Sequence, residues 1–261
     1  MKQLVCSSIQ FNIALGDIDA NLDKAGAALR RVADRGARLA VLPEMWSCGY
    51  DYSRIKQLAG ETPRVLAEMQ EIGDKLELVT VGSLPELDDG KIYNTAYVID
   101  RGRVVGRYRK LHLFSAMRED LFLAAGNDSL VVDTSVGRLG IAICYDLRFP
   151  ELFRKLALAG AEIICLPAEW PKPRLEHWQT LVQARAIENQ LFVVATNCQG
   201  VQGKLDFFGA SRIVSPLGHL LQVAGEEDTE LVATCDFAEM EKYRQQIRIL
   251  EDRRADIYGT P

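Results

Sequence analysis

The sequence predicts an α/β protein built as a four-layer αββα sandwich of two pseudo-symmetric halves. Two observations predict it. Strand-like and helix-like segments alternate along the chain, the pattern of βα units layered around sheets. One segment also echoes another. Gly36-Ala37-Arg38-Leu39-Ala40-Val41-Leu42-Pro43-Glu44-Met45-Trp46 resembles Gly160-Ala161-Glu162-Ile163-Ile164-Cys165-Leu166-Pro167-Ala168-Glu169-Trp170. Each copy follows an amphipathic helix and is an apolar strand ending in Leu-Pro. Further on, Leu78-Val79-Thr80-Val81-Gly82 parallels Phe192-Val193-Val194-Ala195. Each half reads as helix–strand–helix–strand. Two such sheets packed face to face, with helices outside, give four layers. The plainer alternative is that any two βα units look alike.

The elements follow in order. Leu4 to Phe11 reads as a strand. Asn21 to Arg35 carries Leu22, Ala25, Leu29, Val32 and Ala33 at helical spacing. Leu39 to Leu42 is a short buried strand, ended by Pro43, which cannot donate to a ladder. Thr62 to Lys75 is a second amphipathic helix and Leu76 to Ser83 a strand. Strands Ile92–Ile99 and Arg103–Arg109 are joined by Asp100-Arg101-Gly102, a hairpin signal. Further strands are expected at 129–133, 139–144, 162–166, 191–198, 209–214, 219–224 and 230–235, with helices at 150–159, 174–188 and 237–247. No stretch reads as linker or low complexity, so residues 1–261 are expected to form one domain.

Bulk properties narrow the function. Net charge is −5, the three histidines are scattered, and no Lys/Arg cluster tracks phosphates, so nucleic acid is not an expected partner. The start, Met1-Lys2-Gln3-Leu4-Val5-Cys6, lacks signal-peptide character, and no apolar run reaches membrane-spanning length. The six cysteines show no CxxC spacing, and metal-site spacing is absent. A reduced cytoplasmic protein with no metal and no cofactor is expected.

Polar groups stand where three strands end. Glu44 follows Leu42-Pro43. Lys110 follows Arg107-Tyr108-Arg109 and precedes Leu111-His112-Leu113-Phe114. Cys144 ends the run Leu139-Gly140-Ile141-Ala142-Ile143 and leads into Tyr145-Asp146-Leu147-Arg148-Phe149-Pro150-Glu151. Pro150 suits a helix's first turn. A thiol between a strand and a helix start meets unpaired N–H groups and partial positive charge, which favour the thiolate. Singly, each residue has a plain structural explanation: a cap or loop carboxylate, a solvated lysine, a core cysteine.

Together, Leu42-Pro43-Glu44, Tyr108-Arg109-Lys110-Leu111-His112-Leu113-Phe114 and Cys144-Tyr145-Asp146-Leu147-Arg148-Phe149-Pro150-Glu151-Leu152 resemble the nitrilase (carbon–nitrogen hydrolase) superfamily. That family carries a Glu–Lys–Cys triad in this order. The likeness spans almost the whole chain, including Gly209-Ala210-Ser211-Arg212-Ile213-Val214-Ser215-Pro216-Leu217-Gly218 and Leu250-Glu251-Asp252-Arg253-Arg254-Ala255-Asp256-Ile257-Tyr258. It implies the nitrilase-type αββα sandwich and a catalytic set of Glu44, Lys110, Cys144 and Glu119. Cys144 would attack the carbonyl carbon and Glu44 would move the protons. Lys110 and the Tyr145 N–H would hold the oxyanion, and Glu119 would position substrate and Lys110. No histidine is needed. His112 reads as a structural loop or buried polar residue, His177 as structural or lining the pocket wall, and His219 as surface.

The resemblance also narrows the substrate. Nitrilases proper usually have Trp-Glu after the cysteine; Tyr145-Asp146 points instead to an amidase. Ala168-Glu169-Trp170-Pro171-Lys172-Pro173-Arg174-Leu175-Glu176-His177-Trp178 resembles the omega-amidase group, whose substrates are 2-oxoacid amides. Arg148 and Arg174 are candidate partners for the substrate carboxylate. Alternatively, Arg148 ties down the turn and Arg174 is a solvated first-turn residue. Trp170 and Tyr50 are candidate apolar walls. Residues 115–128 lack the family's proline before the loop glycine in Ala124-Ala125-Gly126, which implies a lid of different shape. The tail, 237–261, resembles the family's subunit-crossing segment, so a homodimer is expected. Rival readings are another superfamily activity (deaminated glutathione, carbamoyl or nitrile substrates, or acyl transfer) and a non-catalytic binding protein on the same fold.

Overall fold

Alternate side chains of the first strand enter two different cores, as a period of two requires. In that strand, β1 (Gln3–Gln10), Leu4 and Cys6 join one apolar cluster, while Val5 and Ile9 join another. The computed structural model describes residues 3–259. After β1 come α1 (Ile18–Asp34), β2 (Leu39–Val41), α2 (Ile55–Gly60), α3 (Thr62–Lys75), β3 (Val79–Asp88), β4 (Lys91–Asp100) and β5 (Arg103–Arg109). Then follow α4 (Glu119–Phe122), β6 (Leu130–Thr134), β7 (Gly137–Ile141), α5 (Pro150–Leu158), β8 (Ile163–Ala168), α6 (Leu175–Asn189) and β9 (Phe192–Asn197). The chain closes with β10 (Gln199–Gln202), β11 (Leu205–Phe208), β12 (Arg212–Val214), β13 (Leu220–Val223), β14 (Thr229–Asp236), α7 (Phe237–Gln246) and α8 (Ala255–Tyr258). Of the expected tail, residues 260 and 261 lie outside the described residues.

The two halves are related strand by strand. One sheet runs β14-β1-β2-β3-β4-β5, the other β6-β7-β8-β9-β12-β13. In each, three central strands are parallel and the flanking pairings antiparallel. The repeated segment therefore supplies β2 to one sheet and β8 to the other. Helices α1 and α3 cover the outer face of the first sheet, α5 and α6 that of the second. This is the αββα sandwich. Between the sheets, Thr196 Oγ1 donates to the Val41 carbonyl at 3.2 Å and lies 2.7 Å from Ser8 Oγ. Buried hydroxyls thus find their partners across the layers.

Helix α3 and strand β5 have the expected bounds, and the hairpin turns at Arg101 and Gly102, both at positive φ. Other boundaries moved for local reasons. Helix α1 starts at Ile18 because Asp17 caps it, accepting from the Ala20 N–H at 3.1 Å. Strand β12 starts only at Arg212, since Gly209 and Ala210 take left-handed backbone. Leu-Pro does not end both repeated strands, because β8 runs through Pro167 to Ala168. Its pairing with β7 stops at Cys165, so beyond it no β7 partner asks for Pro167's missing N–H. The β10–β11 hairpin and the short helices α2, α4 and α8 were not expected. Among the described residues no helix is long and apolar enough to cross a membrane.

Candidate active site

Four ends of secondary structure meet at one buried cluster. Strand β2 delivers Glu44, β5 delivers Lys110, α4 begins with Glu119, and the chain leaving β7 delivers Cys144. Glu44, Lys110 and Glu119 are essentially inaccessible to solvent. Lys110 Nζ donates to Glu44 Oε1 and Glu119 Oε1, both at 2.8 Å. Glu44 Oε1 also accepts from Tyr50 Oη and Asn94 Nδ2, each at 2.7 Å, and its Oε2 accepts from the Glu169 N–H at 2.8 Å. Glu119 Oε2 accepts from the Phe114 N–H at 3.1 Å, a bond within the 111–128 loop that fixes the carboxyl's place. That loop's backbone is tied to β4 and Lys110, through Ala124 N–H to the Ile92 carbonyl and Gly126 N–H to the Lys110 carbonyl.

The charges sort themselves by environment. Burial alone would raise the Glu44 carboxyl, but the Lys110 ammonium and Tyr50 hydroxyl hold it below the usual carboxylate range. Burial also works against the Lys110 ammonium, yet Glu119 and Glu44 outweigh it and keep it charged. Glu119 is pushed up, by burial first and then by the Glu44 charge, against the pull of Lys110. One ammonium between two carboxyls therefore leaves Glu44 as the ionised base and Glu119 as the carboxyl that more readily holds a proton.

Cys144 differs from expectation in two ways. Strand β7 stops at Ile141, and the thiol opens a 3-10 turn, Cys144–Arg148; α5 begins only at Pro150. Six positions separate Cys144 from the first residue of α5. Burial and the Glu44 charge push the thiol well above its ordinary value and outweigh the pull toward a thiolate expected at a helix start, leaving a thiol beside the Glu44 carboxylate. Its φ of 45° lies in the left-handed region, a strain of about 1–3 kcal/mol that surrounding bonds must hold.

Beside Cys144 lies a narrow cleft, with room of only about 10 Å³, lined by Phe114, Cys144, Tyr145, Arg148, Trp170, Pro171 and Arg174. Trp170 is buried as a wall, its backbone N–H donating to Asn197 Oδ1 at 2.6 Å and its indole N–H to the Arg174 carbonyl at 3.1 Å. Tyr145 is the second residue of the 3-10 turn, at the start of which the first backbone N–H groups precede any carbonyl of their own turn. The Arg148 guanidinium sits 4.8 Å from the Trp170 ring centre, and its Nη2 lies 3.2 Å from His177 Nδ1. Arg174 sits 5.4 Å from the Phe114 ring centre. Both arginines are partly exposed at the mouth. Tyr50 is not an apolar wall: its hydroxyl lies within the carboxylate cluster, 3.1 Å from Glu119 Oε1 as well as bonded to Glu44. His112 is structural, stacked on Phe149 at 3.6 Å, and His219 is exposed before β13.

A family model described as Carbon-nitrogen hydrolase matches residues 6–245. The chain belongs to the carbon–nitrogen hydrolase family. This hydrolase is 38% identical over 255 residues to the 2-oxoglutaramate amidase of Bacillus subtilis (strain 168), covering 97% of this chain and 98% of that one. It is 32% identical to the chloroplastic omega-amidase of Arabidopsis thaliana, over 95% of this chain and 74% of that one. The crystal structure of a carbon-nitrogen hydrolase from Helicobacter pylori G27 superposes with a TM-score of 0.93 at 28% identity, covering 99% and 97% of the two chains. The chain is accordingly an enzyme that hydrolyses amides, on a nitrilase-type fold.

Two members of the hydrolase's site escaped the sequence reading. Asn94, in mid-strand β4, carries no local sign of its bond to Glu44. Glu169 does carry one: the second repeat ends Leu-Pro-Ala-Glu where the first ends Leu-Pro-Glu. Its side chain is fully enclosed near Cys48, Cys198 and Gln202, and burial followed by the Glu44 charge pushes its carboxyl well up. The folded protein keeps a proton there that the unfolded chain releases above about pH 4.3. Stability is then lost as pH rises beyond that value. Glu169→Gln removes the loss. The variant's Tm relative to wild type is expected to climb by roughly 2–4 °C or more between pH 5 and pH 8. A difference that stays constant across this range refutes the assignment.

Proposed function

We propose that this hydrolase is an omega-amidase, converting a small 2-oxoacid amide such as 2-oxoglutaramate or 2-oxosuccinamate to the acid and ammonia. The observation that carries the reading is Lys110 Nζ held 2.8 Å from both Glu44 and Glu119, with the Cys144 thiol beside Glu44. Glu44 takes the thiol proton as Cys144 Sγ bonds the amide carbon. Lys110 Nζ and the Tyr145 N–H stabilise the tetrahedral oxyanion, each donor worth about 3–4 kcal/mol in barrier. Glu44 returns the proton to the departing nitrogen, the C–N bond breaks, and ammonia leaves a thioester on Cys144. Glu44 then takes a proton from water, which attacks the thioester. The Cys144–carbon bond breaks, the sulfur recovers the proton, and the carboxylic acid leaves. Trp170 walls the cleft, Arg148 and Arg174 offer its mouth two cations for the substrate carboxylate, and Tyr50 orients the two glutamates.

The similarity to the Bacillus and Arabidopsis amidases supports this substrate class. Ammonia release should be strong with 2-oxoglutaramate and 2-oxosuccinamate and weak with asparagine, nitriles, N-carbamoyl compounds and deaminated glutathione. Turnover of only a nitrile or carbamoyl compound would sink the proposal. One domain over residues 1–261, acting as a homodimer in the cytoplasm, completes it. The exposed Ile257 and Tyr258 on α8 support a tail that crosses to a partner subunit, and six buried unpaired cysteines suit a reducing compartment.

A further inference from the structure

We propose that Asp146 is a positioning residue that locks the turn bearing Cys144 to the strand end bearing Lys110. The inference rests on Cys144 and Lys110 acting as proposed above. The Asp146 carboxylate is fully buried, a costly place for a charge unless hydrogen bonds replace water. It meets three donors and one imidazole nitrogen. Oδ2 accepts from Tyr108 Oη at 2.7 Å and from the Ile143 N–H at 2.8 Å. Oδ1 accepts from the His112 N–H at 3.1 Å and lies 2.7 Å from His112 Nδ1.

The origin of these donors carries the argument. Tyr108 and His112 stand two positions before and two after Lys110, while Ile143 stands one position before Cys144 and Asp146 two after it. One carboxylate therefore grips both sides of the lysine and both sides of the cysteine. The Asp146 N–H also donates to the Ile143 carbonyl at 2.9 Å, closing the turn on itself. Across the strand, the Lys110 N–H donates to the Asn94 carbonyl at 2.9 Å, so Lys110 is held from β4 as well. Cys144 needs this support, because its left-handed backbone persists only where neighbours over-determine it. The sulfur and the lysine ammonium must meet one carbonyl group from different segments. A displacement of about 1 Å between such groups lowers rate on the order of 100-fold.

The side chain at 146 must accept on both oxygens. In Asp146→Asn one of them becomes an NH₂ facing the Ile143 or His112 N–H, so a backbone donor loses its acceptor and the turn shifts. Tyr108→Phe keeps the carboxylate and cuts one tie to the lysine strand. In the full-length chain, Asp146→Asn is expected to keep wild-type circular dichroism and a KM for 2-oxoglutaramate within about threefold, while kcat falls about 100-fold. Tyr108→Phe is expected to lower kcat about tenfold with the same KM. Alkylation of Cys144 by iodoacetamide, read by intact mass against Cys144→Ala, should slow in the same order. That readout needs no substrate, so it tests Asp146 even if wild type hydrolyses no 2-oxoacid amide and the functional reading fails. Should Asp146→Asn not fold, Tyr108→Phe decides. Unchanged kcat and alkylation in Tyr108→Phe overturn the proposal, as does a kcat loss in both variants matched by an equal rise in KM.

Discussion

Lys110→Met is expected to abolish turnover and to destabilise the fold by about 3–5 kcal/mol, the usual result of removing one partner from a buried ion pair. Nζ lies between two carboxyls at 2.8 Å each, in a pocket closed to water. Without the ammonium, only neutral hydrogen-bond donors such as the Tyr50 hydroxyl and the Phe114 N–H oppose the burial that pushes both carboxyls up. Glu44 then joins Glu119 as a protonated acid, so the reaction loses its base together with an oxyanion donor. The donor alone is worth about 10²–10³ in rate. The stability deficit has a sign in pH. In the variant, Glu44 keeps a proton that the unfolded chain gives up above about pH 4.3, so stability is lost as pH rises. Urea unfolding at pH 5 and pH 8 should show the larger deficit at pH 8. A variant within about 1 kcal/mol of wild type at both values would mean the cluster is not held by its cation.

How much of this site could be read from the sequence depends on how far each interaction reaches. Glu44, Lys110, Cys144 and Glu119 were legible because each sits in a local motif at the end of a regular element, and the structure brings Glu44 and Glu119 within hydrogen-bonding distance of Lys110, with Cys144 beside Glu44. The repeated strand was legible for a similar reason: apolar runs ending in Leu-Pro are local, and they became matching strands of two sheets. Tyr50 was misread because its ring looks apolar in sequence, while the destination of its hydroxyl is fixed by residues far along the chain. The ionisation of Cys144 was not legible in the sequence because a helix-end argument is local, whereas burial and the Glu44 charge are tertiary. Asn94 meets its partner from another strand, and Asp146, besides the Ile143 N–H of its own turn, bonds Tyr108 and His112 far back along the chain.

Cys144→Ala is expected to lower kcat by about 10⁴–10⁶-fold, as removal of a covalent nucleophile typically does. The change removes one sulfur from a packed site and leaves the Glu44–Lys110–Glu119 bonds intact, so the fold should survive it. Intact-mass analysis during turnover of a slow amide should find one acyl group on wild type and none on the variant. A variant that still hydrolyses the amide would exclude the thioester route. The raised thiol makes a second demand. A neutral thiol attacks only if its proton leaves in the same step, so Glu44→Gln should cost nearly as much as Cys144→Ala, and the double variant little more than either. The pH profile follows with a definite sign. Glu44 is held below the usual carboxylate range, so activity should stay level from neutral pH down to about pH 5 and fall only below it. A nucleophile that had to ionise first would instead gain rate steadily through the thiol range around pH 8–9. A level profile through neutral pH therefore requires the carboxylate and the sulfur to act as one unit, which is what their burial beside Lys110 enforces.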